Sequence, residues 1–205
     1  FGDLGPLLAE ELRERLPSLG VRLLPPSAGI RATVVGASQH TVQVSGNTIY
    51  ISSGAAVPVR NVPVARPQLP LDGRELDWTA IAAAIRAAIQ RIDLQPPDQT
   101  VALAIQWRGS ASFARLGALA RGILEAESGQ VQAGRPLVLV CDGDVGGLLG
   151  LHLREEYDVG TAIVSIDSVE LREFDYIDVG ALLPSTGAAP VVVKSLVFPG
   201  GKASP

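Results

Sequence analysis

The stretch Ile30–Ile51, IRATVVGASQHTVQVSGNTIYI, decides how the chain is read. Two runs rich in β-branched residues, Ala32–Val35 and Thr41–Val44, flank the break Gly36-Ala37-Ser38-Gln39-His40, and a second break, Ser45-Gly46-Asn47, leads into Thr48–Ile51. β-Branched side chains suit a pleated, half-buried surface, whereas Gly, Ser and Asn suit tight turns. The pattern therefore predicts short strands joined by small loops. The loops Gly36–Thr41 and Ser45–Thr48 offer hydroxyls and backbone N–H groups that can receive a ligand or another backbone. A packing turn in a β-meander uses the same letters.

Outward from this stretch, Ser52–Arg74 carries Pro58, Pro63, Pro67 and Pro70 among its valines. Proline removes ladder donors, so this segment reads as an edge strand or an extended strap. Upstream, Pro6 sits in the first turn of a helix with Leu4, Leu8, Leu12 and Leu16 at helical spacing, ended by Pro17 and Gly20. A helix with one apolar stripe needs a partner. Downstream the chain alternates: a helix after Asp77, the apolar strand Val101–Ile105, and a helix capped by Ser110 or Ser112. The strand Leu137–Cys141 follows, then a helix opened by Asp142 and strands at Thr161–Ile166, Glu170–Phe174 and Val191–Phe198.

This order argues for an α/β fold with a mixed, partly parallel sheet and helices on its faces, preceded by a small β-rich part. The expected domains are 1–70 (helix, β-rich part and strap), 71–198 (α/β) and a disordered tail at 199–205.

The 205 residues are long enough to bury a sizeable core, and 47% of them are hydrophobic with only 4% aromatic, so that core is aliphatic. A net charge of −4 argues against nonspecific nucleic-acid binding, which needs clustered cations. No apolar run reaches membrane-spanning length, since Arg86 and Arg91 interrupt the segment richest in Ala and Ile. One cysteine, Cys141, forms no internal disulfide, and two histidines with one cysteine are too few for a zinc site of soft ligands. With no methionine, the chain reads as a fragment or a processed product.

The most chemically suggestive segment is Leu137–Gly150, LVLVCDGDVGGLLG, where a buried strand runs into Asp142, Asp144 and a glycine pair at a helix start. Ligands of open α/β sheets bind outside the carboxyl ends of strands. Two aspartates there would repel a phosphate unless Mg²⁺ lay between, with Asp167 at the end of the next strand near the same rim. A plainer role has Asp142 capping the helix, Asp144 complementing its dipole and the glycines allowing close packing. His152 reads as a core or boundary histidine, Trp78 and Trp107 as packing anchors, and Cys141 as buried and inert. No Ser/His/Asp or Cys/His arrangement has motif support, so no catalytic residue is assigned. No phosphate-loop or dinucleotide fingerprint occurs either.

RATVVGASQHTVQVSGNTIYI also resembles a segment of the EutA family, the reactivating factors for ethanolamine ammonia-lyase. Val57–Pro67 (VPVRNVPVARP), Phe174–Gly180 (FDYIDVG) with Pro190–Phe198 (PVVVKSLVF), and the opening FGDLGPLLAEEL match in the same order. The resemblance is to the C-terminal part of that family. It implies the C-terminal portion of an actin/Hsp70-like ATPase fold, whose missing N-terminal part is a partner and uses ATP and Mg²⁺. The activity implied is chaperone-like, ATP-dependent exchange of damaged for intact adenosylcobalamin on ethanolamine ammonia-lyase. The implied location is cytoplasmic, associated with a bacterial microcompartment. Gly36, Ala37, Ser38, His40, Thr41, Ser45 and Gly46 are then expected to face nucleotide or partner. Without the resemblance, the chain reads as a small α/β metal-dependent enzyme or metabolite-binding domain using Asp142, Asp144 and Asp167.

Overall fold

The computed structural model describes residues 5–20, 38–92 and 99–196. The chain divides into two compact units, Phe1–Gly36 and Ala37–Pro205. In the first, α1 (Gly5–Arg15) runs into a 3₁₀ turn (Leu16–Leu19) closed by Gly20 in the left-handed region. Leu7, Leu8 and Leu12 are exposed, and Leu4 lies outside the described residues.

The second unit is one eight-stranded sheet. Its strands in chain order are β1 (Ser38–Val44), β2 (Tyr50–Ile51), β3 (Val59–Ala65), β4 (Ala102–Ile105), β5 (Leu137–Cys141), β6 (Ile163–Ile166), β7 (Tyr176–Val179) and β8 (Pro190–Leu196). They lie side by side as β1-β8-β7-β3-β4-β5-β6-β2. The pairs β3–β4, β4–β5 and β5–β6 are parallel, and the rest are antiparallel.

Strands β1 and β2 stand at opposite ends of that order, yet only residues 45–49 join them. So short a link reaches about 20 Å, whereas eight strands laid flat span about 34 Å. The sheet must curl until its two edges meet. Ser45 continues the β1–β8 ladder by exchanging bonds with Ala189, its N–H on the carbonyl and its hydroxyl oxygen under the Ala189 N–H, both at 2.9 Å. Gly46 N–H then donates to the Asp167 carbonyl at 3.3 Å.

The curl dictates which residues lie inside. One cluster fills the concave face with small or β-branched side chains, among them Val64, Ala102, Ala104, Val138, Val140, Val164, Val191 and Val193. The alternate residues on the convex face are larger: Leu103, Ile105, Leu137, Leu139 and Ile163. They pack under α2 (Trp78–Arg91), α3 (Phe113–Ala126) and α5 (Gly146–Glu155) through Ile81, Ile85, Leu119, Ile123, Leu149 and Leu153. A narrow interior takes small side chains, and the wider gap to the helix layer takes long ones.

The α/β class and the mixed, partly parallel sheet are as expected, with helices placed differently. The crossover helices α2, α3 and α5 all pack against the convex face, not on both. Parallel strands β3 to β6 advance in one direction, and crossovers of constant hand then drop every helix on one side.

Several boundaries also shift. Thr41–Val44 and Thr48–Ile51 do not pair as neighbours; β1 pairs β8 and β2 pairs β6. The strand expected at Glu170–Phe174 forms instead at Tyr176–Val179. The proline-bearing β3 is interior, between β7 and β4. Val64 donates its N–H to Asp175 on the β7 side, so Pro63, one residue earlier, turns its nitrogen toward β4. Pairing with β4 starts only at Val64, and the missing donor costs no ladder bond. No boundary between compact units falls near residue 70, because strands from both sides of it share the sheet. Residues 30–37 and 197–205 lie outside the described set, and with them the run Ala32–Val35, Gly36, Ala37 and the tail.

Asp77 caps α2 as expected, accepting from Thr79 N–H at 2.8 Å and the Thr79 hydroxyl at 2.6 Å, which together hold its pKa low. The short α4 (Ser128–Gln132) follows α3. Helix α5 presses its backbone onto β2 and β6: a Cβ on Gly150 would come within 2.5 Å of Tyr50. Among the described residues, no helix is long and apolar enough to cross a membrane.

Candidate functional site

The parallel strands β5 and β6 end side by side, and antiparallel β2 begins at the same rim. Three side chains meet there: Thr48 just before β2, Asp144 just before α5, and Asp167 just after β6. The Thr48 hydroxyl lies 2.7 Å from Asp167 Oδ2 and in hydrogen-bond contact with Asp144 Oδ1. A threonine hydroxyl has one proton, and here two carboxylates compete for it. Asp167 is 0% exposed, and its Oδ1 has no hydrogen-bond partner. Burial pushes its pKa up; the Thr48 hydroxyl opposes that shift and neighbouring Asp144 adds to it.

The backbone around the trio is fixed. Thr48 accepts from Gly147 N–H at 2.6 Å, at the first turn of α5, and the Ser165 hydroxyl donates to the Gly146 carbonyl at 2.7 Å. The glycine run at the start of α5 thus serves close packing, as the sequence suggests.

Asp142 does not join the trio and does not cap α5, whose first turn begins at Gly146 after Val145. Its Oδ1 accepts from Trp107 N–H at 2.9 Å, and Arg108 approaches Oδ2 at 3.3 Å. The carboxylate ties the end of β5 to the loop after β4. Among the described residues, no group of three or more His, Cys, Asp or Glu side chains could hold a metal ion. The expected trio Asp142, Asp144 and Asp167 is therefore reduced to Asp144 and Asp167, joined by Thr48.

Of the residues expected in ligand-facing loops, Ser38, His40 and Thr41 belong to β1, with His40 opposite Lys194 and Thr41 opposite Val193. Ser45 and Gly46 do lie in the link, but their N–H groups are already given to Ala189 and Asp167. The described part of this stretch is thus an edge strand followed by a link whose Ser45 and Gly46 amides are bonded to Ala189 and Asp167. Its role is to close the curl.

A cavity of about 520 Å³ opens inside the curl at the carboxyl ends of β4 and β5. Val169, Glu170, Leu171 and Arg172 line it, held where Gln43 bonds Glu170 twice, Nε2 to the carbonyl at 3.2 Å and Oε1 to the N–H at 3.1 Å. Asp175, 3% exposed, has its pKa raised by burial against the pull of the Arg172 N–H and the Ser195 hydroxyl.

A family model described as "Ethanolamine utilisation protein EutA" matches residues 1–199. The chain belongs to the EutA family. It is 36% identical over 201 residues to the "Ethanolamine ammonia-lyase reactivase EutA" of Salmonella typhimurium, and 34% identical over 201 residues to the protein of that name from Escherichia coli K12. Each match takes in 97% of this chain and 40% of the relative, so the chain spans well under half the length of the EutA proteins it matches. No solved structure matches it significantly.

Within this EutA chain, sequence reasoning missed two features. Thr48 lay in an expected loop with no assigned role, because its meeting with Asp144 depends on β2 adding to β6. Arg115 was assigned no role, yet it is 5% exposed. It donates to the carbonyls of Leu71 (2.9 Å), Gly73 and Arg108, with its guanidinium 5.2 Å from the Trp107 ring centroid. Trp107 and Trp78 are packing anchors, the latter under Arg121 at 3.9 Å. His152 is a boundary residue set edge-on to Phe113 at 4.8 Å.

Proposed function

We propose that this chain is part of a reactivating factor for ethanolamine ammonia-lyase, promoting exchange of damaged for intact adenosylcobalamin. The observation that carries the reading is the match along 97% of the chain to two proteins bearing the reactivase name. Such a factor works by binding two states of its client with different affinity, and ATP turnover drives it between them. In this reading ATP and Mg²⁺ are used by the remainder of the longer protein, which forms the nucleotide site of an actin/Hsp70-like fold. The curled sheet is the rigid unit that transmits its motion to the lyase. The setting is the cytoplasm, alongside a bacterial microcompartment.

The test uses a protein of the relatives' full length carrying this chain, with ethanolamine ammonia-lyase poisoned by an inactive cobalamin. Activity should return on adding the factor, ATP, Mg²⁺ and intact adenosylcobalamin, and should fail to return when residues 38–196 are deleted. Equal recovery without the factor, or recovery undiminished by the deletion, would refute the reading.

A further inference from the structure

We propose that Thr48, Asp144 and Asp167 hold a hard divalent cation of the Mg²⁺ class, which clamps the link between β1 and β2 to the carboxyl end of β6. The first argument is a deficit of positive partners. Two carboxylates converge on one hydroxyl, which can donate to only one of them at a time. A cation between them satisfies both and leaves the hydroxyl oxygen as a third ligand.

An independent argument comes from Asp167 alone. Its side chain is 0% exposed, yet Oδ1 accepts no hydrogen bond. A buried carboxylate oxygen without a partner is costly, and such oxygens are satisfied by donors, cations or ordered water. Gly46 packs its backbone against that carboxylate, and a Cβ there would stand 2.1 Å from Oδ1, so no larger residue fits beside it.

The donor set then selects the ion. All three ligands are oxygens, which disfavours soft or borderline metals. Two carboxylates and a hydroxyl would leave most of a Ca²⁺ shell of six to eight oxygens to water, fewer protein oxygens than Ca²⁺ sites usually offer. They suit Mg²⁺, which keeps several of its waters. The exposed positions of Thr48 and Asp144 leave the solvent side free for those waters. Asp142 is excluded, being spent on Trp107 and Arg108. This clamp needs no nucleotide, so it stands apart from the ATP use proposed above.

The experiment is a nucleotide-free titration of the 205-residue chain with Mn²⁺, followed by electron paramagnetic resonance, with Mg²⁺ as competitor. One saturable Mn²⁺ per chain, displaced by Mg²⁺, is expected. Asp144→Asn should weaken it at least about tenfold, removal of a direct ligand exceeding the 10–100-fold range seen for outer-shell partners only if the site is well formed. Thr48→Val should weaken it too, while Asp142→Asn should leave it unchanged. Asp144 and Thr48 are exposed, and circular dichroism verifies that each variant is folded. Absence of saturable Mn²⁺ binding, or affinity untouched by Asp144→Asn, overturns the proposal. So does a metal-independent rise in Tm in Asp144→Asn without any Mn²⁺ binding, which would assign the trio to a shared proton.

Discussion

Glu127 is a buried acid without a partner, and its ionisation should set how the stability of the chain depends on pH. It lies between α3 and α4, 2% exposed, and neither carboxyl oxygen finds a hydrogen bond. Burial raises its pKa from 4.5 to about 7. Below pH 4.5 the group is protonated in the folded and unfolded states alike, and folding carries no ionisation penalty. Between about 4.5 and 7 the unfolded chain releases the proton while the folded one keeps it, so stability falls as pH rises. Above about 7 the loss is complete. A shift of that size is worth about 3 kcal/mol, at 1.36 kcal/mol per pH unit. Glu127→Gln keeps the shape and removes the charge. It should stabilise the chain by up to about 3 kcal/mol at pH 8 and by well under 1 kcal/mol at pH 4.5. Urea unfolding followed by far-UV circular dichroism at the two pH values measures both. A variant no more stable than the parent at pH 8, or a gap that is the same at both, would refute the reasoning.

Three further outcomes follow from the packing. Cys141 is fully buried, and burial, together with Asp167 and Asp142, pushes its thiol up to about 12. It should stay unmodified by a thiol reagent at pH 8 until denaturant is added, and rapid native labelling would show that β5 opens. Arg115→Lys should destabilise by about 2–4 kcal/mol, because a point charge cannot serve the three carbonyls that the guanidinium fork reaches. A neutral result in thermal unfolding would mean water replaces it. Gly150→Ala, normally favourable in a helix, should cost about 1–3 kcal/mol because the new Cβ meets Tyr50; an unchanged or raised Tm would show that α5 lifts off β2 freely.

The parallel half of the sheet was legible because each strand is an unbroken apolar run followed by a helix with a clean apolar face. Asp77 announces its helix, and Val101–Ile105 and Leu137–Cys141 lie within a residue of β4 and β5. The antiparallel half was not, because its pairing is non-local. Thr41–Val44 and Thr48–Ile51 look like neighbours in a hairpin, but the partners they choose lie more than a hundred residues away. His40 illustrates the consequence for the site: placed in a loop by its flanking Gly and Ser, it is in a strand because β8 is there to pair with it. At the rim, Asp144 and Asp167 could be read from their positions at strand ends. Thr48 could not, and neither could the diversion of Asp142, since Trp107 and Arg108 claim it only once β4 and β5 are paired.

The seam of the curl also imposes an order on synthesis. Ser45 and Ala189, at the end of the β1–β8 ladder that completes the curl, stand 144 positions apart. At roughly 5–20 residues per second, the ribosome finishes the second of them about seven to thirty seconds after the first. Throughout that interval β1 has no β8 to pair with, and it carries Val42 and Val44, both exposed even in the finished fold. The parallel strands and their helices can assemble as they emerge, but the ring of strands closes only when Pro190–Leu196 arrives. A nascent chain stalled before residue 190 therefore displays an unpaired, valine-bearing edge, the form of the protein most exposed to misassembly.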